Sequence, residues 1–167
     1  MNLRRPSSRP SSFWIEPEHG LDTKELRHSK LGGRRLHEHA KTLVDLPHPV
    51  ALIGDYNVVP TDEDIYDAKG WRRDALLQPE SREAFFKLLN QGWTDSLLKV
   101  HGPGSGIYTF WDYFRQHAQR DRGLRIDHIL LNSVLAKRLR TAGVDRWVRG
   151  EEKPSDHAPT WIQVDAD

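Results

Sequence analysis

The sequence predicts an α/β (α+β) protein built on a mostly buried sheet. Two short apolar runs, PVALIG and LRIDHILL, have strand length and are separated by amphipathic stretches of helical period. The chain has 167 residues, enough for one domain with a real core. No apolar run approaches the roughly 20 residues that a membrane-spanning helix requires, which reads as a soluble chain with no membrane partner. Charged residues are 29% and hydrophobic residues 37%, so a polar surface can enclose that core. There is no Cys, which excludes disulfides and thiolate metal sites and suits a reducing, cytoplasmic setting. No apolar stretch near the N-terminus has signal-peptide character. The net charge of +1 does not by itself announce a polyanionic partner. Its distribution is more telling: Arg115, Arg120, Arg122 and Arg125 cluster around His117 with only Asp121 against them. That run reads equally as a solvated basic loop and as a phosphate-facing patch. The six Trp residues are read mainly as core or half-buried.

Taken in order, residues 1–20 read as a disordered leader, with Arg, Pro and Ser but no hydrophobic period. A helix is expected within Asp22 to Leu46, where Leu36, Ala40 and Leu43 share one face. Gly32-Gly33 weakens its first half, each Gly costing about 1 kcal/mol against Ala. His37 and His39 are two apart and so do not share a helical face; they read as edge or surface residues. Pro49 to Gly54 is expected to be a buried strand, followed by Asp55-Tyr56-Asn57. Thr61 and Asp64 are spaced like a capping box. Ser81 to Gln91 predicts a helix with Phe85, Leu88 and Leu89 on its apolar face and Gly92 as its stop. Tyr108 to Tyr113 has the β-branched and aromatic composition of a strand. Leu124 to Leu131 predicts another, with Arg125, Asp127, Ile129 and Leu131 on one face and Leu124, Ile126, His128 and Leu130 on the other. A short helix over Val134 to Leu139 and a last strand over Ala158 to Val164 complete the pattern.

Three segments share one form. LIGDYN, LRIDH and PSDHAPTW each combine an apolar strand with polar groups at or near its end. The rim of a sheet is where α/β sites gather. Each segment alone also has an ordinary structural reading: Asp55 as a turn cap, Asp127 in an ion pair or bonded to a Tyr, Asp156 in an Asx turn. Three such segments in one chain point to shared chemistry.

GDYNVVPTDED, YTFWDY, GLRIDHILL and EKPSDHAP, in this order, resemble the exodeoxyribonuclease III family of DNA-repair nucleases, within the endonuclease/exonuclease/phosphatase superfamily. The resemblance runs from about Leu21 to Val164. It implies part of a four-layered α/β sandwich, two mixed sheets with helices outside, occupying residues 21–167. It also implies Mg²⁺-dependent hydrolysis of phosphodiesters, with Mn²⁺ as a substitute, in duplex DNA carrying abasic sites or 3′ ends. By the same resemblance Asp55, Asn57, Asp127 and His157 are the catalytic set, and Asp55, Asn57, Asp156 and His157 surround the metal. The residue types suit the task. Carboxylate and amide oxygens suit a hard cation. A carboxylate orients or deprotonates water, and an amide donates to a phosphate oxygen without opposing its charge. An imidazole paired to Asp127 has its tautomer fixed and its pKa raised. Phe110, Trp111, Leu124 and Ile126 correspond to the surroundings of the family's pocket for a flipped-out abasic sugar, and Arg122 and Arg125 to contacts with the DNA backbone. Trp111 is equally readable as a core aromatic.

The family pattern begins with an Asn-ending strand, a metal-binding Glu and a Tyr, none of which has a match before Asp55. The chain therefore reads as the C-terminal part of the family domain. An exposed apolar face or edge is expected, together with weak Mg²⁺ binding and a loss of about 10²- to 10⁴-fold in rate. No obligate protein partner is evident, although a separate N-terminal piece could complement this one. The rival readings are a phosphatase acting on another phosphoester, a non-catalytic DNA-binding remnant and a non-functional fragment.

Overall fold

The computed structural model describes residues 30–166. The leader over residues 1–20 and the expected helix start at Asp22 lie outside the described residues. Helix α1 (Lys30–Leu43) carries the expected apolar face. Ala40 is buried, and Leu36 and Leu43 pack beside it against Val50, Phe85, Leu88 and Leu130. Phe85 and Leu88 come from α2 (Pro79–Leu89), which opens with Pro at its N-terminus and is followed by Gly92 at φ 114°. That backbone conformation suits Gly and ends the helical path.

Beneath these helices lies a three-stranded antiparallel sheet. Its central strand, β3 (Asp127–Leu131), pairs on one side with β1 (Ala51–Asp55) and on the other with β2 (Thr94–Asp95). The β1–β3 register sets Ala51 opposite Leu131 and Asp55 opposite Asp127, so the two carboxylates fall at one end of the pair. Asp95 closes β2 and caps α3 (Ser96–His101) by accepting from Leu98 N. A second antiparallel sheet, β4 (Leu139–Val144) with β5 (Thr160–Val164), follows α4 (Ser133–Arg138). Alternation along β3 explains how the layers meet. Leu130 faces the helices, whereas Ile129 and Leu131 pack with Ala136, Leu139 and Ile162 toward the second sheet. A third apolar cluster, Val59, Ile65, Leu77, Leu124 and Ile126, underlies the loop after β1.

The structure departs from the sequence expectations in four places. Strand β1 is not buried throughout: Ile53 is 54% exposed, because β1 pairs only with β3 among the described residues and is an edge strand. Residues Tyr108 to Tyr113 form no strand; Phe110 makes isolated bridges to Leu124 and His157. The reason is Thr109, whose buried Oγ1 accepts from the backbone N–H groups of Ile126 and Asp127 and takes the place of a ladder. The regular strand accordingly begins at Asp127, and the expected alternation fails at Arg125, whose side chain lies with His128. The short elements β2, α3 and β4 carry no sequence signal long enough to show a period.

Candidate active site

Strand β1 ends at Asp55, and the chain turns sharply there. Tyr56 points inward, edge-on to Phe85 and His128 at 5.8 and 5.6 Å, while its N–H donates to Ile126 O at 3.0 Å. Asn57 adopts φ 50°, a left-handed conformation that Asn tolerates better than most side chains. The turn lets Asn57 donate twice to Asp55, from its backbone N to Oδ1 at 2.8 Å and from Nδ2 to Oδ2 at 2.9 Å. The carboxylate is therefore oriented by its own motif.

Asp127 stands across the ladder from Asp55. Its Oδ2 lies 2.8 Å from His157 Nδ1, and His157 Nε2 lies 4.0 Å from Asp55 Oδ2. A carboxylate can only accept, so the proton in the shorter contact belongs to Nδ1. The His157 pKa is raised, chiefly by its hydrogen bond to Asp127; burial opposes the shift, and the charges of Asp127, Asp55 and Asp156 reinforce it. The loop carrying Asp156 and His157 is stitched to the irregular 109–111 segment. Trp111 N donates to Asp156 O at 2.9 Å, Ala158 N donates to Thr109 O at 2.8 Å, and Ser155 Oγ accepts from His157 N at 3.1 Å. The Phe110 ring sits 5.0 Å from the imidazole.

Of the sequence candidates, the structure brings together Asp55, Asn57, Asp127, Asp156 and His157, with Phe110 half-buried beside them. Leu124 and Ile126 are buried in the apolar cluster under this site. Trp111 is 1% exposed, and its Nε1 donates to Asp121 at 3.2 Å. Arg125 is also interior. Its Nε meets Asp64 Oδ1 at 2.7 Å and its Nη1 meets Asp95 Oδ2 at 2.5 Å, so its guanidinium is turned away from any bound backbone. A surface contact by Arg125 is not available in this arrangement.

Sequence reasoning missed the rest of that network. Buried His128 Nδ1 lies 3.2 Å from Asp95 Oδ2. Burial alone would push the Asp95 carboxyl up; the hydrogen bond from His128 and the charge of Arg125 outweigh it and hold the group well below the usual carboxylate range. Asp64 also completes the expected capping box, accepting from Thr61 N and Oγ1 at 3.0 and 2.8 Å. Arg125 thus ties the loop after Asn57 to the base of β3. The capping spacing was the one available signal for Asp64; nothing in the sequence marks the partnership with Asp95.

The donor types around Asp55 fit a hard divalent cation, whereas their number does not complete its shell. Among the described residues, no group of three or more His, Asp or Glu side chains is placed to hold a metal ion. The paired Nδ1 and raised pKa of His157 suit a proton donor better than a metal ligand. Among the described residues, no helix is long and apolar enough to cross a membrane.

Comparison with known proteins adds to this geometry. The Endonuclease/Exonuclease/phosphatase family profile matches residues 11–157. Exodeoxyribonuclease III of Haemophilus influenzae is 36% identical over 125 residues, which are 71% of this chain and 47% of that protein. The zebrafish DNA repair nuclease APEX1 is 35% identical over 116 residues, covering 70% of this chain and 36% of its own length. The chain thus spans half or less of the curated relatives it matches. Among solved structures, the 3′-5′ exonuclease NExo of Neisseria meningitidis superposes with TM-score 0.79 at 36% identity, covering 87% of this chain and 57% of that one. An AP endonuclease from Archaeoglobus fulgidus gives TM-score 0.77 at 31% identity, with 86% and 55% covered. A Neisseria 3′ phosphatase bound to a product DNA hairpin gives TM-score 0.77 at 37% identity, with 81% and 52% covered.

Proposed function

We propose, from the premise that this chain belongs to the endonuclease/exonuclease/phosphatase family, that it carries the phosphate-binding half of a DNA phosphodiesterase site. The substrate we assign is duplex DNA at abasic sites and 3′ ends. The carrying observation is the Asp55–His157–Asp127 alignment, with contacts of 4.0 and 2.8 Å at the ends of two paired strands. In this reading Asp127 keeps His157 protonated, and Nε2–H donates to a non-bridging phosphate oxygen as negative charge builds there. Asp55 orients the attacking water, and the second amide proton of Asn57 is offered to the phosphate. Phe110 forms the apolar wall beside the sugar. Asp55 and Asp156 would contribute oxygens to a Mg²⁺ or Mn²⁺ ion, whose chemistry is to neutralise phosphate charge; water and phosphate oxygens would fill the rest of its shell. The names of the relatives and neighbours, exodeoxyribonuclease III, DNA repair nuclease and AP endonuclease, support the choice of DNA.

The incomplete donor set gives one alternative its footing: a module that binds DNA without cutting it. One experiment tests both readings. The whole chain is incubated with a duplex containing a single abasic-site analogue, or with a phosphoinositide, in Mg²⁺ or in EDTA. Slow, Mg²⁺-dependent incision of the duplex alone is expected. Duplex binding that survives EDTA, with no incision in Mg²⁺, would establish the non-catalytic reading instead. Faster release of phosphate from the lipid would overturn the assignment to DNA.

A further inference from the structure

The basic run that the sequence singled out does not act as one patch. Arg125 is drawn into the core, whereas Arg120 and Arg122 line a separate cavity of about 680 Å³. Known small-molecule sites span roughly 300–1,000 Å³. The cavity lies between the loop after β1 and the 112–122 segment, and its walls combine aromatic and cationic groups. Tyr66 and Trp71 stand edge-on at 6.4 Å, fixed by a hydrogen bond from Trp71 Nε1 to Tyr66 Oη at 3.0 Å. The Phe114 ring borders the same space and is 62% exposed. The Arg122 guanidinium lies over the Tyr66 ring, 5.7 Å from its centroid.

The walls set two arginines beside three carboxylates, Asp67, Asp112 and Asp121. Among the described residues, neither Arg120 nor Arg122 has a carboxylate within ion-pair distance, and of the three acidic neighbours Asp121 alone is ion-paired. Asp121 is held by Arg146 at 2.8 Å and by the Trp111 indole. Asp112 accepts from Phe114 N at 2.9 Å, and Asp67 accepts from Gly70 N at 3.0 Å. The floor includes His117, 6% exposed and edge-on to Tyr66 at 5.4 Å, whose Nδ1 is buried with no hydrogen-bond partner.

We infer that this cavity binds one nucleoside monophosphate unit, its base against the Tyr66–Phe114 walls and its phosphate at Arg120 and Arg122. Aromatic faces accept any base, and two cations without acidic partners suit one phosphate. The same unit is available as a free mononucleotide or as an unpaired nucleotide at a strand end. The inference requires only the cavity, not the cleavage chemistry proposed for His157.

Equilibrium dialysis of the full chain with labelled deoxyadenosine 5′-monophosphate tests it. Binding should be at least tenfold tighter than for inorganic phosphate or deoxyadenosine alone, and tenfold weaker in Arg122→Gln and in Arg120→Gln. Melting temperature and circular dichroism check that each variant is folded, and Arg120, being exposed, is the safer of the two. The fall in Arg120→Gln and Arg122→Gln should persist in a His157→Ala background, which separates failure of this inference from failure of the cleavage proposal. Competition by a duplex with a one-nucleotide overhang, but not by a blunt duplex, would identify the strand end as the source. Competition by free nucleotides only would identify the mononucleotide. Nucleotide binding no tighter than phosphate, or unchanged in folded variants of both arginines in either background, would overturn the inference.

Discussion

Replacing Arg125 with Met separates a structural role from a DNA-contacting one. The guanidinium is 5% exposed and bridges Asp64, 13% exposed, to Asp95, 2% exposed. Met retains much of the stem volume and removes the charge. Asp95 is then left buried with His128 and the Leu98 N–H as its remaining partners. Breaking one side of a buried ion pair costs about 3–5 kcal/mol, because the surviving charge cannot return to water and loses its cationic partner. For a domain of this size, 1 kcal/mol moves the melting temperature by roughly 2–4 °C, so Arg125→Met should melt about 6–20 °C below the parent. Thermal denaturation followed by circular dichroism provides the measurement, and the salt dependence of DNA binding provides the control. Loss of a true phosphate contact would leave stability within about 0.5 kcal/mol and lower the salt slope by roughly one. A melting temperature within about 2 °C of the parent, together with that lower slope, would refute the buried bridge.

Three further outcomes follow from the site. Proton NMR should show the His157 imidazole titrating above its ordinary value, and Asp127→Asn should bring it down; an unchanged titration would remove Asp127 as the cause. Because the folded-state pKa is the higher one, the stability His157 contributes is fully present below its unfolded pKa, near 6.5, and is lost as pH rises through the folded value. Thr109→Val keeps the shape of a fully buried side chain but orphans two backbone N–H groups, so urea unfolding should show a loss of at least about 1–3 kcal/mol; a neutral result would mean another acceptor replaces Oγ1. Asn57→Gly relieves a left-handed backbone and should leave stability equal or slightly higher, while incision falls because the amide is gone; unchanged incision would remove Asn57 from the site.

How legible these features were depended on the range over which each is encoded. Helix α2 showed in the sequence through Phe85 and Leu88, and the Thr61–Asp64 cap through its three-residue spacing, because both are local patterns. Asp55, Asp127 and His157 stood out because each follows or adjoins an apolar strand, although only the β1–β3 register shows that the two carboxylates face one another. The strand expected over Tyr108 to Tyr113 failed for a non-local reason: Thr109 spends its hydroxyl on Ile126 and Asp127, and no propensity records a side chain standing in for a ladder. Arg125 was misplaced for a related reason. Its period-two position assumed a regular strand from Leu124, whereas the chain becomes regular only at Asp127, and Asp95 lies thirty residues away in sequence. The family resemblance supplied the expected chemistry of a position such as Leu124; burial within its apolar cluster had to come from the structure.

The most direct test of the central claim is single-turnover incision of the abasic-site duplex in Mg²⁺, with the chain in excess, comparing the parent with His157→Ala and Asp127→Asn. If His157 donates to the phosphate and Asp127 keeps it protonated, incision should fall by at least about 100-fold in His157→Ala. In Asp127→Asn it should fall less near pH 6 than near pH 8, since acid can supply the proton that the carboxylate no longer holds. Equal incision by the parent and His157→Ala, or a folded parent that binds the duplex and never cuts it, would contradict the account.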